Sequence, residues 1–291
     1  MKEIPPYAII TEPTPAFKRN QEENKWESLR DIFGGPDGKT LKKDEFGQID
    51  ELQLVIFAGA TIEIIEQCRA SVVKIMIEGL DGEYFIDERF LQKEARTFIK
   101  PPPKEGKMPP REKILENLRM ALGRPYIWGG NKKDGIPKLL DLYPPKGEIT
   151  QAIRQQWMLA GVDCSGLLYE ATEGFTPRNT SGLCSFGKPV KNLEGRSAKE
   201  IIPQLQSLDI IVWKGHVMIV LDEIKCIESR LYYSTDAKGK VTDVKPSFVQ
   251  IRSLNEVLEE TLQKRKLVET IGNPPREFTI RRWHEETIKK M

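Results

Sequence analysis

The chain has 291 residues, enough for two ordinary domains, and its 39% hydrophobic and 30% charged content is typical of a globular protein. The formal net charge is +2, with Lys and Arg mixed among Asp and Glu, so we expect no nucleic-acid partner. The N-terminus MKEIPPYAIITEPTPAF lacks a secretory apolar segment, and apolar runs of about 18 residues are missing elsewhere. We therefore expect a cytoplasmic protein without a membrane partner.

The cysteine pattern excludes two further classes of protein. Four cysteines occur, at positions 68, 164, 184 and 226, and no two of them form a C-x-x-C pair. This spacing argues against a zinc or redox motif, and so few cysteines in so long a chain argue against a disulfide framework. We expect free thiols and no bound metal.

The N-terminal part of the sequence predicts a small β domain. Residues 53–67 (QLVIFAGATIEIIEQ) and 71–87 (SVVKIMIEGLDGEYFID) are rich in β-branched residues, alternate in polarity and are separated by polar turns. They predict a small antiparallel barrel or sandwich. Residues 101–110 (PPPKEGKMPP) contain five prolines and predict a stiff linker. We therefore expect an all-β domain over 1–100, a linker over 101–110 and a second domain over 111–291.

The second domain begins with helices and continues with strands. Helices are predicted over 111–123, over 150–159 within a long polar segment (131–160), and from Cys164 onward, where Asp163 is placed to cap the first turn. Strands are predicted over 208–214, 216–223, 225–234, 248–251 and 277–283, with a charged helix over 253–268. This order indicates an α+β fold with helices packed on an antiparallel sheet.

Cys164 is the candidate nucleophile because it opens the helix of the Asp163-Cys164-Ser165-Gly166 segment. A helix N-terminus stabilises a thiolate, so we expect a lowered thiol pKa. The free amides of the first turn also suit an oxyanion hole. The alternative is a structural cysteine on an apolar helix face.

A nucleophilic cysteine needs a base, and the chain has only two histidines. His216 opens the apolar strand VMIVL, whereas His284 lies in a charged tail where we expect a solvated side chain. A third group normally orients the imidazole. The strand after His216 turns and returns, which places Glu228 near His216 and leaves Asp222 and Glu223 at the far end of the hairpin. Glu228 is therefore the preferred third residue.

At this point the motifs resemble the NlpC family of papain-like bacterial cysteine peptidases. The matching segments run in order through Arg124-Pro125-Tyr126-Ile127-Trp128-Gly129-Gly130, Asp163-Cys164-Ser165-Gly166-Leu167, Pro177-Arg178 and Gly215-His216-Val217. The resemblance implies that Cys164 attacks, that His216 acts as base, and that Glu228 stands at the family's third position. It also implies cleavage of peptidoglycan stem peptides between γ-D-glutamate and the following diamino acid.

The resemblance further implies roles for residues around the nucleophile. Tyr126 would assist the oxyanion, and the substrate would be bound by Trp128, Asp163, Ser165 and a hydroxyl after the Pro-Arg pair, either Thr180 or Ser181. The N-terminal region is similar to the bacterial SH3-like barrel that precedes the catalytic domain in several members. In those members the barrel favours recycled muropeptides with a free N-terminal L-alanine, which implies a cytoplasmic recycling role here.

Two other functions remain open. An amidase or acyltransferase of the same superfamily would keep the fold and change the acyl donor. A non-catalytic muropeptide-binding module would bind without turnover. No cofactor is expected for the enzymatic alternatives, because acyl transfer by a thiolate needs neither a metal nor an organic group.

Overall fold

The computed structural model describes residues 6–18, 29–35, 37–68, 70–101, 107–272 and 276–284. The chain forms two compact units, which are not continuous in sequence. The first unit contains residues 1–106, 127–161 and 233–244, and the second contains 107–126, 162–232 and 245–291. The domain boundary expected at 101–110 stays a prediction, and part of that segment lies outside the described residues.

The N-terminal region is built mainly from strands, as its alternating apolar pattern predicts. Its strands are β1 (Tyr7–Ile9), β2 (Thr14–Phe17), β3 (Phe33–Gly34), β4 (Thr40–Leu41), β5 (Leu52–Ile56), β6 (Thr61–Gln67), β7 (Val72–Ile77), β8 (Glu83–Asp87) and β9 (Arg96–Thr97). Short 3-10 helices span Leu29–Asp31, Glu88–Phe90 and Lys93–Ala95.

The main sheet of the first unit has the order β5-β2-β8-β7-β6-β1-β9, and its neighbouring strands are antiparallel. Alternation decides which side chains are buried on β7, where Ile75 and Ile77 are buried and Met76 between them is exposed. On β6 the register shifts between Ile64 and Glu66, as at a β-bulge, and Ile65 is exposed. The antiparallel β structure agrees with the sequence pattern, while the SH3-like identity of the sheet stays a prediction.

The remaining elements follow residue 107 and mix helices with strands. In chain order they are α1 (Arg111–Met120), β10 (Asn131–Lys132), α2 (Lys138–Leu142), α3 (Gln151–Trp157), β11 (Gly161–Val162), α4 (Cys164–Ala171), α5 (Thr180–Leu183), β12 (Lys188–Pro189), α6 (Ala198–Ile201), a 3-10 helix (Ile202–Gln204), β13 (Ile210–Trp213), β14 (His216–Val220), β15 (Lys225–Ser229), β16 (Tyr232–Thr235), β17 (Val241–Lys245), β18 (Val249–Ser253), α7 (Leu254–Lys264), β19 (Lys266–Leu267) and β20 (Glu277–Arg282).

The long polar segment 131–160 belongs to the core of the first unit. Trp157, at the end of α3, is fully buried and donates from Nε1 to the carbonyl of Tyr143 at 2.8 Å. The Tyr143 ring stacks on Phe33, and its hydroxyl donates to the buried carboxylate of Asp87. Thr150 caps α3 by accepting from the Ile153 amide at 3.2 Å, so the helix predicted over 150–159 is confirmed.

The sheet of the second unit has the order β12-β20-β13-β14-β15-β18 and is antiparallel along this path. Alternate residues of β14 face opposite layers. Val217 and Ile219 pack in the cluster that contains residues of α1 and α4, while Met218 and Val220 pack with residues of α7. Helices on both faces bury all five residues of β14 and explain its continuous apolar sequence. The predicted combination of helices with antiparallel sheets is confirmed.

Candidate active site

The first turn of α4 presents the candidate nucleophile. Asp163 is the N-cap, and its Oδ1 accepts from the Gly166 amide at 2.6 Å, as its side-chain type predicts. Cys164 is therefore the first residue of the helix, and it is 7% exposed. The thiol lies at the helix end that carries partial positive charge.

The thiol of Cys164 contacts the main chain on both sides of His216. Its Sγ donates to the Gly215 carbonyl at 3.9 Å, and the Val217 amide is among the groups that act to lower the pKa of the thiol. His216 begins β14 directly after the tight turn from β13, because Trp213 pairs with His216 in the ladder. Gly215 has φ +112°, a conformation that glycine adopts most readily. The sheet and α4 thus place the Cys164 thiol beside the main chain next to His216.

The surroundings of the Cys164 thiol disfavour its ionised form. Burial raises the pKa of Cys164 to about 12, and the charge of Asp163 acts in the same direction. Arg178 and the amides of Val217 and Ser165 oppose this shift but do not overcome it. The direction is opposite to the lowered thiol pKa expected from the helix terminus, because burial of the thiol is the largest influence. Attack by this sulfur requires a base to remove the proton.

His216 is held by Glu228. The Nε2 atom of His216 lies 2.6 Å from Oε2 of Glu228, and the side chain of Glu228 is fully buried. The β14–β15 ladder pairs Val220 with Cys226, so its continuation sets Glu228 diagonally beside His216 on one face. Asp222 instead accepts from the Ile224 amide in the hairpin turn. The strand return anticipated from the sequence is present, and Nε2 rather than Nδ1 is the ring nitrogen of His216 that faces Glu228.

The carboxylate of Glu228 has further partners that the sequence did not reveal. Its Oε1 accepts from the Tyr232 hydroxyl at 3.2 Å and from Gln250 Nε2 at 3.5 Å, and it lies 3.5 Å from Nη1 of Arg252. Burial acts to raise the pKa of Glu228, but His216, with the charges of Arg230 and Arg252, outweighs it and lowers the pKa. The alternation of VQIRS puts Gln250 and Arg252 on one face of β18, and the β15–β18 ladder sets Gln250 directly opposite Glu228.

Arg178 binds the polar side chains at the N-terminus of α4. Its Nη1 donates to Asp163 Oδ1 and to Ser165 Oγ, each at 3.0 Å, and its Nη2 donates to Asp163 Oδ2 at 2.7 Å. Ser165 Oγ also donates to Asp163 Oδ1 at 3.2 Å. The ion pair is buried, with side chains 2% and 11% exposed. Arg178 belongs to the Pro-Arg motif, but no pattern in the sequence predicts this contact with Asp163.

Thr180 and Ser181 have different surroundings. The Oγ1 atom of Thr180 accepts from the Gly215 amide at 2.9 Å and so holds the turn that precedes His216. Ser181 is exposed. The substrate contact predicted for one of these hydroxyls stays a prediction, and Thr180 has a defined contact within the protein.

The two aromatic residues of the PYIWGG segment lie in different units. Tyr126, in the second unit, is half-buried, and its amide donates to the Ser247 carbonyl at 2.8 Å. Trp128, in the first unit, is 46% exposed, and its amide donates to Gln48 Oε1 at 3.0 Å. Gly129 has φ +69°, and a Cβ there would lie 2.2 Å from the Leu52 carbonyl oxygen. A glycine is therefore required by the first unit's own packing.

The other sequence expectations concern thiols, metals and membranes. The four cysteines are unbridged. Within the described ranges, no group of three or more His, Cys, Asp or Glu side chains is arranged to hold a metal ion. Among the helices that the structure describes, none combines the length and apolar character needed to cross a membrane.

Comparisons with known proteins give only structural likenesses. No protein-family model matches the chain, and no curated protein matches it. A NlpC/P60 family protein from Bacillus cereus is similar over 95% of this chain and 99% of its own, with 12% identity and a TM-score of 0.49. The P60 domain of an antigen from M. avium subspecies paratuberculosis is similar over 60% of this chain and 96% of its own, with 20% identity and a TM-score of 0.32.

NlpC1 from Trichomonas vaginalis is a third such likeness, over 97% of this chain and 94% of its own, with 15% identity and a TM-score of 0.30. These structural neighbours carry the same family name that the motifs resemble. Because their identities and TM-scores are low, the functional argument rests on the geometry of the site itself.

Proposed function

We propose that this protein is a cysteine peptidase of the NlpC/P60 type that hydrolyses peptidoglycan stem peptides. The observation that carries the proposal is the arrangement of three side chains. The Cys164 thiol lies against the main chain that flanks His216, and the His216 ring is bound to the buried carboxylate of Glu228 at 2.6 Å. A nucleophile, a base and an orienting carboxylate in this order are the components of acyl transfer through a thioester.

The raised thiol pKa determines how the first step proceeds. His216 takes the proton from Cys164 while Sγ bonds to the carbonyl carbon, and the carbonyl electron pair moves onto oxygen. Glu228 stabilises the imidazolium that forms. Collapse of the tetrahedral intermediate breaks the C–N bond, and the leaving amine takes the proton from His216. Water then attacks the thioester with His216 again acting as base, which releases the acid and restores the thiol.

The developing oxyanion is best stabilised at the first turn of α4. The Gly166 amide of this turn donates to Asp163, and the amides before it point beyond the helix, as at any helix N-terminus, and suit a negatively charged oxygen. A contribution from the Tyr126 hydroxyl remains part of the proposal. The substrate contacts also remain predictions for the residues implied by the motif resemblance, which are Trp128, Asp163, Ser165, Thr180 and Ser181.

The substrate that we propose is a small muropeptide cleaved between γ-D-glutamate and the following diamino acid. This bond and a cytoplasmic recycling role come from the family resemblance. An amidase or acyltransferase with the same nucleophile, and a muropeptide-binding module without turnover, are the competing functions. Each predicts a different product pattern with the same peptide.

The test uses purified protein with L-Ala-γ-D-Glu-meso-diaminopimelate and its N-acetylated form, with products followed by mass spectrometry. Cys164→Ala is the matched control for turnover. Release of L-Ala-D-Glu from the free-amine peptide alone supports a recycling endopeptidase, and cleavage of both peptides indicates a hydrolase that does not read the amine. Transfer of the acyl group to an added amine indicates a transferase, and saturable binding without products indicates a binding module.

A further inference from the structure

The two carboxylate oxygens of Glu228 contact different groups. Oε2 faces His216, while Oε1 faces Tyr232, Gln250 and Arg252. Two of these three partners are neutral donors and Arg252 carries a full positive charge, while Arg230 also acts on the carboxylate through its charge. Arg252 is also shared, because its Nη2 lies 2.6 Å and its Nη1 3.1 Å from the two oxygens of Glu260 on α7.

We propose that Arg252 is a positioning residue that keeps Glu228 ionised and oriented toward His216, and that its ion pair with Glu260 moderates this effect. The proposal rests on the proposed function, since it concerns the same nucleophile and base. In this proposal the Arg252–Glu260 ion pair, which joins β18 to α7, also influences the ionisation of Glu228.

The charge arrangement supports this assignment. A buried carboxylate is costly unless its charge is compensated, and Glu228 has no exposed surface. The side chain of Arg252 is 19% exposed and that of Glu260 is 46% exposed, so the carboxylate that competes for Arg252 is the better solvated one. The titratable and charged groups that act on Glu228 or on this pair come from each surrounding element: His216, Cys226, Arg230, Tyr232, Arg252, Glu260 and Lys264.

The two neighbours of Arg252 give opposite expectations for substitutions. Loss of the Arg252 charge makes protonation of Glu228 easier, and a protonated Glu228 no longer stabilises the imidazolium of His216. Loss of the Glu260 charge removes the second carboxylate that binds Arg252, so that Glu228 becomes the remaining carboxylate partner of the pair. A purely structural role of the ion pair predicts instead that both substitutions have the same effect, because each breaks the same link.

The experiment compares the wild type with Arg252→Gln, Arg252→Lys and Glu260→Gln. Alkylation of Cys164 by iodoacetamide is measured from pH 3.5 to 8, with the modified peptide identified by mass spectrometry and folding followed by circular dichroism. Turnover of the tripeptide is measured over the same range. Because His216 must take the thiol proton for alkylation in this range, the alkylation rate follows the ionisation of His216 and Glu228 rather than that of the free thiol, and it needs no substrate.

We expect the acid limb of both profiles to move upward by about one pH unit in Arg252→Gln, the lower end of what a nearby opposite charge contributes. Arg252→Lys should retain most of the wild-type profile, and Glu260→Gln should move the acid limb downward. KM should stay unchanged in all three. A wild-type acid limb in Arg252→Gln, or an equal upward shift in Glu260→Gln, overturns the proposal. A shifted alkylation profile without peptide turnover by the wild type would instead refute the proposed function alone.

Discussion

Replacement of Glu228 by glutamine tests the pairing of His216 with Glu228 in the site. The substitution keeps the shape of the side chain and removes the charge that faces His216 Nε2 at 2.6 Å. Hydrogen bonds to an ionised group contribute about 1.5–3 kcal/mol and neutral ones about 0.5–1.5 kcal/mol. The difference of about 1.5 kcal/mol applies to the transition state, in which the imidazolium forms, and corresponds to roughly a tenfold lower kcat. Because both side chains are buried, solvent screens little of this effect.

The assay is steady-state cleavage of L-Ala-γ-D-Glu-meso-diaminopimelate, with thermal unfolding as the measure of folding. Asp222→Asn is the matched control, since it neutralises a carboxylate at the far end of the same hairpin, where Oδ1 accepts from the Ile224 amide. We expect the control to cleave at the wild-type rate and Glu228→Gln to be at least tenfold slower with an unchanged KM. A Glu228→Gln enzyme that stays within twofold of wild-type kcat would refute the assigned role.

Three further predictions address the surroundings of the pair. Arg178→Gln removes the cationic partner of a buried carboxylate, so we expect a loss of about 3–5 kcal/mol in the free energy of unfolding, measured in urea; a loss below 1 kcal/mol would contradict this. Thr180→Val leaves the Gly215 amide without its 2.9 Å acceptor and should lower kcat by about fivefold, whereas the exposed Ser181→Ala should not; equal effects would remove the distinction. Burial and then the charge of Glu228 raise the pKa of the Cys226 thiol from 9.0 to about 12. The folded state therefore holds this proton more tightly, and its contribution to stability is present below pH 9 and lost as pH rises toward 12. Between pH 8 and 10 this thiol should lower the free energy of unfolding by about 1.4 kcal/mol. In urea unfolding, Cys226→Ala should therefore lose less free energy of unfolding over this pH range than the wild type. An identical loss in the two proteins would disprove the assignment.

The sequence by itself determined the local elements and the three principal side chains. Alternation over 53–67 and 71–87 predicts β5 to β8, and the Asp163 cap predicts where α4 begins, because these signals depend only on neighbouring residues. The pairing of His216 with Glu228 was also accessible, since a tight hairpin fixes which residues of its two strands are neighbours. The catalytic roles of these residues stay predictions.

Tertiary structure alone decided which groups surround Cys164, His216 and Glu228. Arg178 is 15 residues from Asp163, and Gln250 and Arg252 lie on β18, more than 20 residues after Glu228. No local pattern shows that these side chains meet Asp163 or Glu228. The packing of segment 131–160 into the core of the first unit is equally nonlocal. The same holds for the Cys164 thiol, for which the sequence predicted a lowered pKa and the fold raises it to about 12. A helix terminus can be located in a sequence, whereas the loss of solvent around a thiol depends on every element packed against it.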